Sequence, residues 1–440
     1  MANDKDFIVK NAVEVGKDTK VTLGTITSSN IDLSTGNFFS DTAVGATTYT
    51  LSNPGDVQSF QLEVTGGAEE VASSFSTTLY SGGTAQTISN GIDFSTDGGL
   101  VWIKRRTGTG YSNQLFDTER TDSGTDTPKR LSSDTNDGEA VYFSSGEWDW
   151  LTNGFDLNNT DANLNGSGGD YVAWSFKKES SFFDIVTYTG DGTQGRTISH
   201  NLGSVPGCII VKTTSTSGDW AVYHRGVDAT APEDYKLELN GTGARAADSF
   251  FWDDTAPTST NFTVGAEGKV NGSGKTYVAY LFAHDTASDG YIQCGNYTGN
   301  ASTSGPTINL GWTPQWVLLR NAAGGNWVIV DTKRGTDKTL YPSSSAAENG
   351  IIAGDTYITT SSTGFQITSS NVTINQNTAN HVYIAIRDAA DTTITWPSSI
   401  EWAGSLAPAA PANGETDLFT ISTDDGGTTY HGFKTADNLS

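Results

Sequence analysis

Basic residues are scarce in this 440-residue chain: 25 Lys and Arg stand against 50 Asp and Glu, for a formal net charge of −25. Neutralising phosphates takes Lys and Arg, so nucleic acid is excluded as an expected partner. Acidity spread this evenly serves solubility. Long apolar runs are missing too, none approaching the roughly 20 residues that span a bilayer, and Met1 to Lys10 lacks a basic region followed by an apolar core. No membrane insertion is expected. Five histidines, His200, His224, His284, His381 and His431, and two cysteines fall in no His-x-His, His-Glu-x-x-His or Cys-x-x-Cys spacing. No metal site and no cofactor is expected from them. A single Met beside 50 Gly, abundant Ser and Thr and 10% aromatic residues leaves little helix-forming material. The composition predicts an all-β protein.

What the chain has instead is repetition. An apolar strand ending in a base recurs at Leu100 to Lys104, Cys208 to Lys212 and Trp316 to Arg320, 108 residues apart each time (212 − 104 and 320 − 212). A second strand recurs as Tyr171-Val172-Ala173-Trp174, Tyr277-Val278-Ala279-Tyr280 and Tyr383-Ile384-Ala385-Ile386, with Asn165, Asn271 and Asn377 six residues before each tyrosine. Ile88, Ile198 and Ile308, then Arg120, Arg225 and Arg334, then Phe155, Phe262 and Phe365 complete the set. Anchors that keep order and spacing through three copies decide the architecture. Alternating strands punctuated by Gly, Asn and Pro predict two apolar-faced sheets per copy, a β-sandwich of about 100 residues. Copies are placed at 71–179, 180–287 and 288–389. Cys208 aligns with Leu100 and Trp316, and Cys294 with Ile185, so both cysteines are expected as small buried hydrophobes. Segments 20–70 and 390–440 carry too few strands each to fold alone and together predict one split β domain, with Phe60 to Val64 beside Thr393 to Trp396. Residues 1–19 are left as a docking segment.

Candidate chemistry is thin. Aligned on the following arginine, His224 matches Glu119 and Lys333, so it has no counterpart in the other copies. Gly166-Ser167-Gly168 reads as a turn. The carboxylate neighbours Asp117 with Glu119, Glu147 with Asp149, and Asp253 with Asp254 do not recur in all copies, which argues against glycan hydrolysis. No catalytic residue is assigned. The repeated arginines are expected to tie loops down through carboxylate or carbonyl contacts. Trp148, Trp150 and Trp252 fall in the variable stretches and are the candidates for surface binding; the competing reading has them cap a sandwich edge.

The front and back segments, with Asp32-Leu33-Ser34-Thr35-Gly36-Asn37, Ser52-Asn53-Pro54, Trp396-Pro397 and Trp402-Ala403-Gly404, resemble a small domain of tailed-bacteriophage virion proteins, particularly marine phage tail fibres. The repeats resemble a phage-associated module of uncharacterised function at Ile198-Ser199-His200-Asn201-Leu202-Gly203, Asp219-Trp220-Ala221-Val222-Tyr223-His224, Val270-Asn271-Gly272-Ser273-Gly274 and Tyr277 to Tyr280. The resemblance implies a non-enzymatic virion structural protein made in the host cytoplasm: a tail fibre or fibre-like appendage, forming a homotrimer and contacting a host-surface glycan or protein. Phe7, Ile8 and Val9 would dock on another virion protein. The alternatives are a head fibre or capsid-surface decoration protein, and a glycan-degrading tailspike.

Overall fold

The computed structural model describes residues 26–27, 29–43, 46–54, 58–66, 73–286, 290–350, 356–388, 393–403, 407–408 and 416–436. The chain is all-β, helix amounting to single turns such as Ser249–Trp252 and Val372–Asn375. It divides into two compact units, Met1–Glu70 with Ala389–Ser440, and Val71–Asp388. Phe7, Ile8 and Val9 lie outside the described residues.

The main strands of the front segment are β1 (Phe38–Ala43), β2 (Ala46–Thr48) and β3 (Gln58–Gly66). The first repeat contributes β4 (Phe75–Ser81), β5 (Gln86–Ile88), β6 (Gly99–Arg105), β7 (Gln114–Asp117), β8 (Gly154–Leu157) and β9 (Asp170–Lys177). The second contributes β10 (Phe183–Thr189), β11 (Arg196–Ser199), β12 (Cys208–Thr213), β13 (Ala221–His224), β14 (Asn261–Val264) and β15 (Thr276–Phe282). The third contributes β16 (Ile292–Thr298), β17 (Thr307–Asn309), β18 (Pro314–Asn321), β19 (Trp327–Asp331), β20 (Gly364–Ile367) and β21 (Asn380–Arg387). The back segment follows with β22 (Thr393–Thr395), β23 (Ile400–Trp402), β24 (Thr416–Thr423) and β25 (Tyr430–Ala436).

In the first unit, one five-stranded sheet runs β1-β3-β24-β25-β23. Alternation sends Phe60, Leu62 and Val64 of β3 into a core with Phe39, Tyr49, Phe419, Ile421 and Tyr430. The neighbour of Phe60 to Val64 is not the one the sequence suggests. These residues pair with β24, from Gln58 opposite Thr423 to Thr65 opposite Thr416, while β22 pairs in parallel with β2. Both edges of β3 are taken by longer ladders, β24 on one side and β1 on the other, so the three-residue β22 finds its place elsewhere.

In the second unit every repeat has the same antiparallel order: β4-β9-β6-β7, β10-β15-β12-β13 and β16-β21-β18-β19. A small second sheet faces each one, with Ile88 opposite Phe155, Ile198 opposite Phe262 and Ile308 opposite Phe365. Val101, Ile103, Phe116, Phe155, Tyr171 and Ala173 meet between the two sheets of the first repeat, and the third repeat repeats the pattern with Val317, Leu319, Phe365, Tyr383 and Ala385. The opposite face of each large sheet is buried as well. From Leu100 to Lys104, from Cys208 to Thr213 and from Pro314 to Asn321 no residue is exposed. A strand covered on both faces loses its alternation, which is why these runs read as continuously apolar.

What covers the second face is the other repeats. Phe176 of β9 lies 5.5 and 5.7 Å from Phe183 and Phe282 of the second repeat and 5.7 Å from Trp316 of the third. The ladders place Phe75, Leu100 and Phe176 side by side, as they do Phe183, Cys208 and Phe282, and Ile292, Trp316 and Ile386. Three equivalent patches therefore converge, and the two free, buried cysteines belong to this interior. The copies close on one another in a ring, not in the open row that tandem sandwiches suggest.

Candidate functional site

Ring closure makes three seams, and the hydrogen-bond register shows which positions correspond. Leu100 faces Asp117, Cys208 faces His224, and Trp316 faces Asp331. His224 therefore has counterparts after all, Asp117 and Asp331, rather than Glu119 and Lys333. At the seam of repeats one and two, Asp117 accepts from Arg120 Nε at 2.7 Å and from the hydroxyl of Tyr280 at 2.7 Å. At the seam of repeats three and one, Asp331 accepts from Arg334 Nε at 2.5 Å and from Trp174 Nε1 at 3.0 Å. At the remaining seam the position facing the repeat is Ile384, which offers no donor, and the carboxylate is replaced by His224. Its Nδ1 accepts from Gly226 N–H, so Nε2 carries the proton and donates to the carbonyl of Tyr383 at 3.0 Å. Burial pushes the His224 pKa down to about 3, which keeps the ring neutral.

The loops that cross the seams match equally well. Glu139 N–H donates to Thr214 O, Arg245 N–H to Ala322 O, and Glu348 N–H to Arg106 O. Gly218, Gly325 and Gly110 donate to Asn136, Thr242 and Ser345. Trp220 Nε1, Trp327 Nε1 and Asn113 Nδ2 donate to carbonyls of the preceding loop at Ser132, Glu238 and Tyr341. The bases at the strand ends are fully buried: Lys212 bonds Asn136, Thr213 and Gly218 carbonyls, Arg320 bonds that of Gly243, and Lys104 that of Tyr111. Burial pulls the Lys104 and Lys212 pKa values to about 8 and that of Arg320 to about 10.

The seam of repeats one and two is open to solvent at a point where longer side chains cross the other two. Between repeats one and two lies a cleft of about 320 Å³, lined by Glu119, Arg120, Thr121, Lys129, Glu139, Thr187, Tyr188, Thr189, Thr214, Thr276 and Tyr277. At the seam of repeats three and one, Arg106 stands at the position of Thr214 and grips Glu348 with two nitrogens, at 3.0 and 2.9 Å. At the seam of repeats two and three, Asn380 stands at the position of Thr276 and donates to the carbonyls of Gly226 and Val227. Two short threonines thus leave room where longer side chains bridge. Within the cleft the charges are matched: Glu139 takes both Arg120, at 3.3 Å, and Lys129, at 3.0 Å, and Glu119 takes Lys178. Burial pulls the Arg120 pKa down, but Asp117, Tyr280 and Glu139 outweigh it and hold the guanidinium charged.

Residues 70–389, all three repeats together, match the family described as a domain of unknown function, DUF7483. The chain belongs to that family. No curated protein matches the chain. The matched DUF7483 span is thus the ring as a whole, not one of its copies.

Several assignments made on the DUF7483 region from sequence are corrected by its geometry. Trp148 is buried and stacks on Phe155 at 4.8 Å, and Trp252 is buried against Tyr223. Trp150 is half-buried, 5.1 Å from Phe94 and 5.0 Å from Trp148. These tryptophans pack the sandwiches and are not a surface platform. Arg120 and Arg334 are buried beside their aspartates, whereas Arg225 is exposed and is not a third copy. The third asparagine is Asn375, not the exposed Asn377. Asn165, Asn271 and Asn375 are each fully buried and accept from the N–H of Gly83, Asp191 and Asn300 while donating to the carbonyls of Thr84, Thr193 and Ser302. Likewise Tyr80 faces Tyr171 and Tyr188 faces Tyr277, but Tyr297 faces His381. The third copy is two residues shorter here. Of the seam residues, sequence singled out the arginines Arg120 and Arg334, whose expected carboxylate contacts are those with Asp117 and Asp331, and the recurrent bases Lys104, Lys212 and Arg320; that these lie between repeats, and the cleft itself, escaped it. Among the described residues no group of three or more His, Cys, Asp and Glu is placed to hold a metal ion, and no helix is long and apolar enough to cross a membrane.

Proposed function

We propose that the chain is a non-enzymatic structural protein of a tailed-phage virion, a subunit of a tail fibre or fibre-like appendage that presents its ring of β-sandwiches to the host surface. The observation that supports this reading is where the recurrent polar residues are used. Asp117, Asp331, His224, the three buried asparagines and the three buried bases all hold seams or turns, and none of them faces another across an open cleft as acid and base catalysts must. Rigidity is the property such an arrangement delivers. Attachment through Phe7, Ile8 and Val9, production in the host cytoplasm, and assembly into a homotrimer belong to the same proposal. Antibody-gold labelling of intact particles tests it: label on the tail appendage is the expected result, and unlabelled particles overturn it. The three copies share one interior instead of standing in a row, which favours a second reading as a capsid-surface decoration protein; label on the head would select that one. Mass photometry at micromolar concentration tests the trimer, which a lone 46.5 kDa species excludes.

A further inference from the structure

We infer that an open groove in the first unit receives the run Phe7-Ile8-Val9 of a second copy of this chain as an added strand. This rests on the reading of those residues as a docking segment and names the neighbouring copy as the protein they dock on. The groove has a volume of about 600 Å³ and is lined by Thr48 to Pro54, Trp396 to Ser399, Gly427 and Tyr430. It forms where two paired strands part. Thr393–Thr395 runs parallel to Ala46–Thr48, but Pro397 has no N–H to continue the ladder, and a turn closed by Ile400 N–H on Pro397 O leads the chain away from Thr50–Ser52. The other edge of Thr50–Ser52 is held by Asn30–Asp32, none of whose residues lines the groove.

The groove presents an unfilled strand edge. Thr50 N–H donates to Ser29 O and Leu33 N–H to Ser52 O, so residues 50 and 52 turn their peptide groups toward Asn30–Asp32, and alternation turns those of Leu51 the other way. Neither the N–H nor the C=O of Leu51 has a partner among the described residues. Asn30 Nδ2 on Ser52 Oγ at 2.9 Å and Asn53 Nδ2 on Asp32 Oδ1 at 3.0 Å fix this edge before any strand arrives. Tyr430 adds a further unused donor. Its side chain is 2% exposed, its hydroxyl pairs with nothing among the described residues, and Gly427 leaves that hydroxyl reachable, since a Cβ there would lie 2.7 Å from it. None of the thirteen lining residues is charged, against 17% of the chain, so the groove suits an uncharged extended segment that pairs with the Leu51 peptide groups. Residues 1–25 precede the first described strand, and their longest apolar run is Phe7-Ile8-Val9, aromatic and β-branched as strands prefer. That first strand, Ile26–Thr27, lies at the opposite edge of the small sheet, beyond Asn30–Asp32. A chain's own run must therefore double back around the sheet, whereas a neighbour's enters directly, and three such donations close about an axis into the homotrimer.

Cysteine pairs in the full chain test the inference: Phe7→Cys, Ile8→Cys and Val9→Cys, each combined with Thr50→Cys, are oxidised and run on a non-reducing denaturing gel. Covalent dimers and trimers from at least one pair are expected; cross-links confined to single chains, or none from any pair, overturn the inference. A chain lacking residues 1–12 is expected to be monomeric in mass photometry and to bind a fluorescent peptide of residues 6–11 in the micromolar range. Leu51→Pro removes an N–H that the chain's own sheet leaves unused and is expected to abolish that binding while the melting temperature holds. Tyr430→Phe keeps the ring and is expected to weaken binding about three-fold to ten-fold. Peptide binding untouched by both variants overturns the inference, and so does a trimer that survives loss of residues 1–12, although the trimer itself then stands. Failure of particle labelling would instead overturn the virion reading and leave these gels as they are.

Discussion

Two seams of the ring use an aspartate and one uses a histidine, and the difference shows that a seam is exchanged as a set, not residue by residue. Asp117 and Asp331 each meet a donor from the next repeat, the Tyr280 hydroxyl or the Trp174 indole, and each holds an arginine three residues on. Where that donor is missing, at Ile384, the aspartate and its arginine are gone too. A carboxylate buried against Ile384 would cost several kcal/mol with nothing to offset it. A neutral imidazole needs only a carbonyl, and Tyr383 supplies one. The loop residue follows the same logic, with Glu139 and Glu348 beside arginines, but Arg245 paired to Asp228 at 2.8 Å at the third seam. Each seam is locally charge-balanced by a different choice of residues.

The largest expected effect comes from removing a seam pair altogether. Deleting residues 288–388 uncovers the second face of both remaining large sheets and is expected to abolish cooperative folding, since neither face can stay exposed. A deletion variant that melts at the temperature of the full chain would show that the copies are independent sandwiches. Next come the seam centres. Asp117→Ala or Asp331→Ala leaves a buried guanidinium without its main partner and is expected to cost about 3–5 kcal/mol in urea unfolding, whereas His224→Ala leaves one unpaired carbonyl and costs about 1–3 kcal/mol. Equal losses at all three would erase the distinction between the seams.

The buried asparagines sharpen the comparison of copies. Asn165, Asn271 and Asn375 each join the glycine turn to the opposite sheet, so alanine at any of them is expected to cost about 1–3 kcal/mol, while Asn377→Ala stays within about 0.5 kcal/mol. That test bears on what sequence could reveal. Residues set by strand periodicity were legible: the apolar strands ending in Lys104, Lys212 and Arg320 sit where spacing puts them, as do the recurrent isoleucines and phenylalanines, although only the ladders show that these pair across strands. Positions after the shortened loop were not. Tyr383 imitates Tyr171 in its Tyr-x-Ala setting, but the register gives that place to His381, and the bulk of Tyr383 is accommodated by Gly295, where a Cβ would lie 2.5 Å from its hydroxyl. Burial on the second sheet face was equally hidden, because a continuous apolar run does not say what covers it. The cleft was illegible for a further reason: it arises from two side chains being short, and an absence of bulk leaves no motif.

Titration separates the seams more gently. The His224 pKa is about 3 in the ring against about 6.5 in an unfolded chain, so between these values the unfolded state holds more protons. Its contribution is full above pH 6.5 and is lost as pH falls toward 3, by at most about 1.4 kcal/mol per pH unit. The slope of stability against pH from 6.5 to 4 is expected to shrink in His224→Gln. Lys212, at about 8 in the ring, follows the same sign in another window: stability rises from pH 8 toward 10 as the folded state releases its proton first, and Lys212→Met flattens that rise.

The smallest effect is the most discriminating for the arginines. Arg120, Arg225 and Arg334 look like one repeated residue in sequence, yet Arg225 follows His224 directly and is exposed, and among the described residues it makes no ion pair with an aspartate. Exposed charges of this kind contribute little, so Arg225→Ala is expected to shift stability by no more than about 0.5 kcal/mol. Arg120→Ala leaves Asp117 buried with the Tyr280 hydroxyl as its remaining seam partner and is expected to cost about 3 kcal/mol or more. Urea unfolding of the two variants side by side decides the point. A loss at Arg225 as large as at Arg120 would mean that the second seam carries a lock of its own at that residue, and the replacement of the charged set by a neutral histidine would no longer describe it.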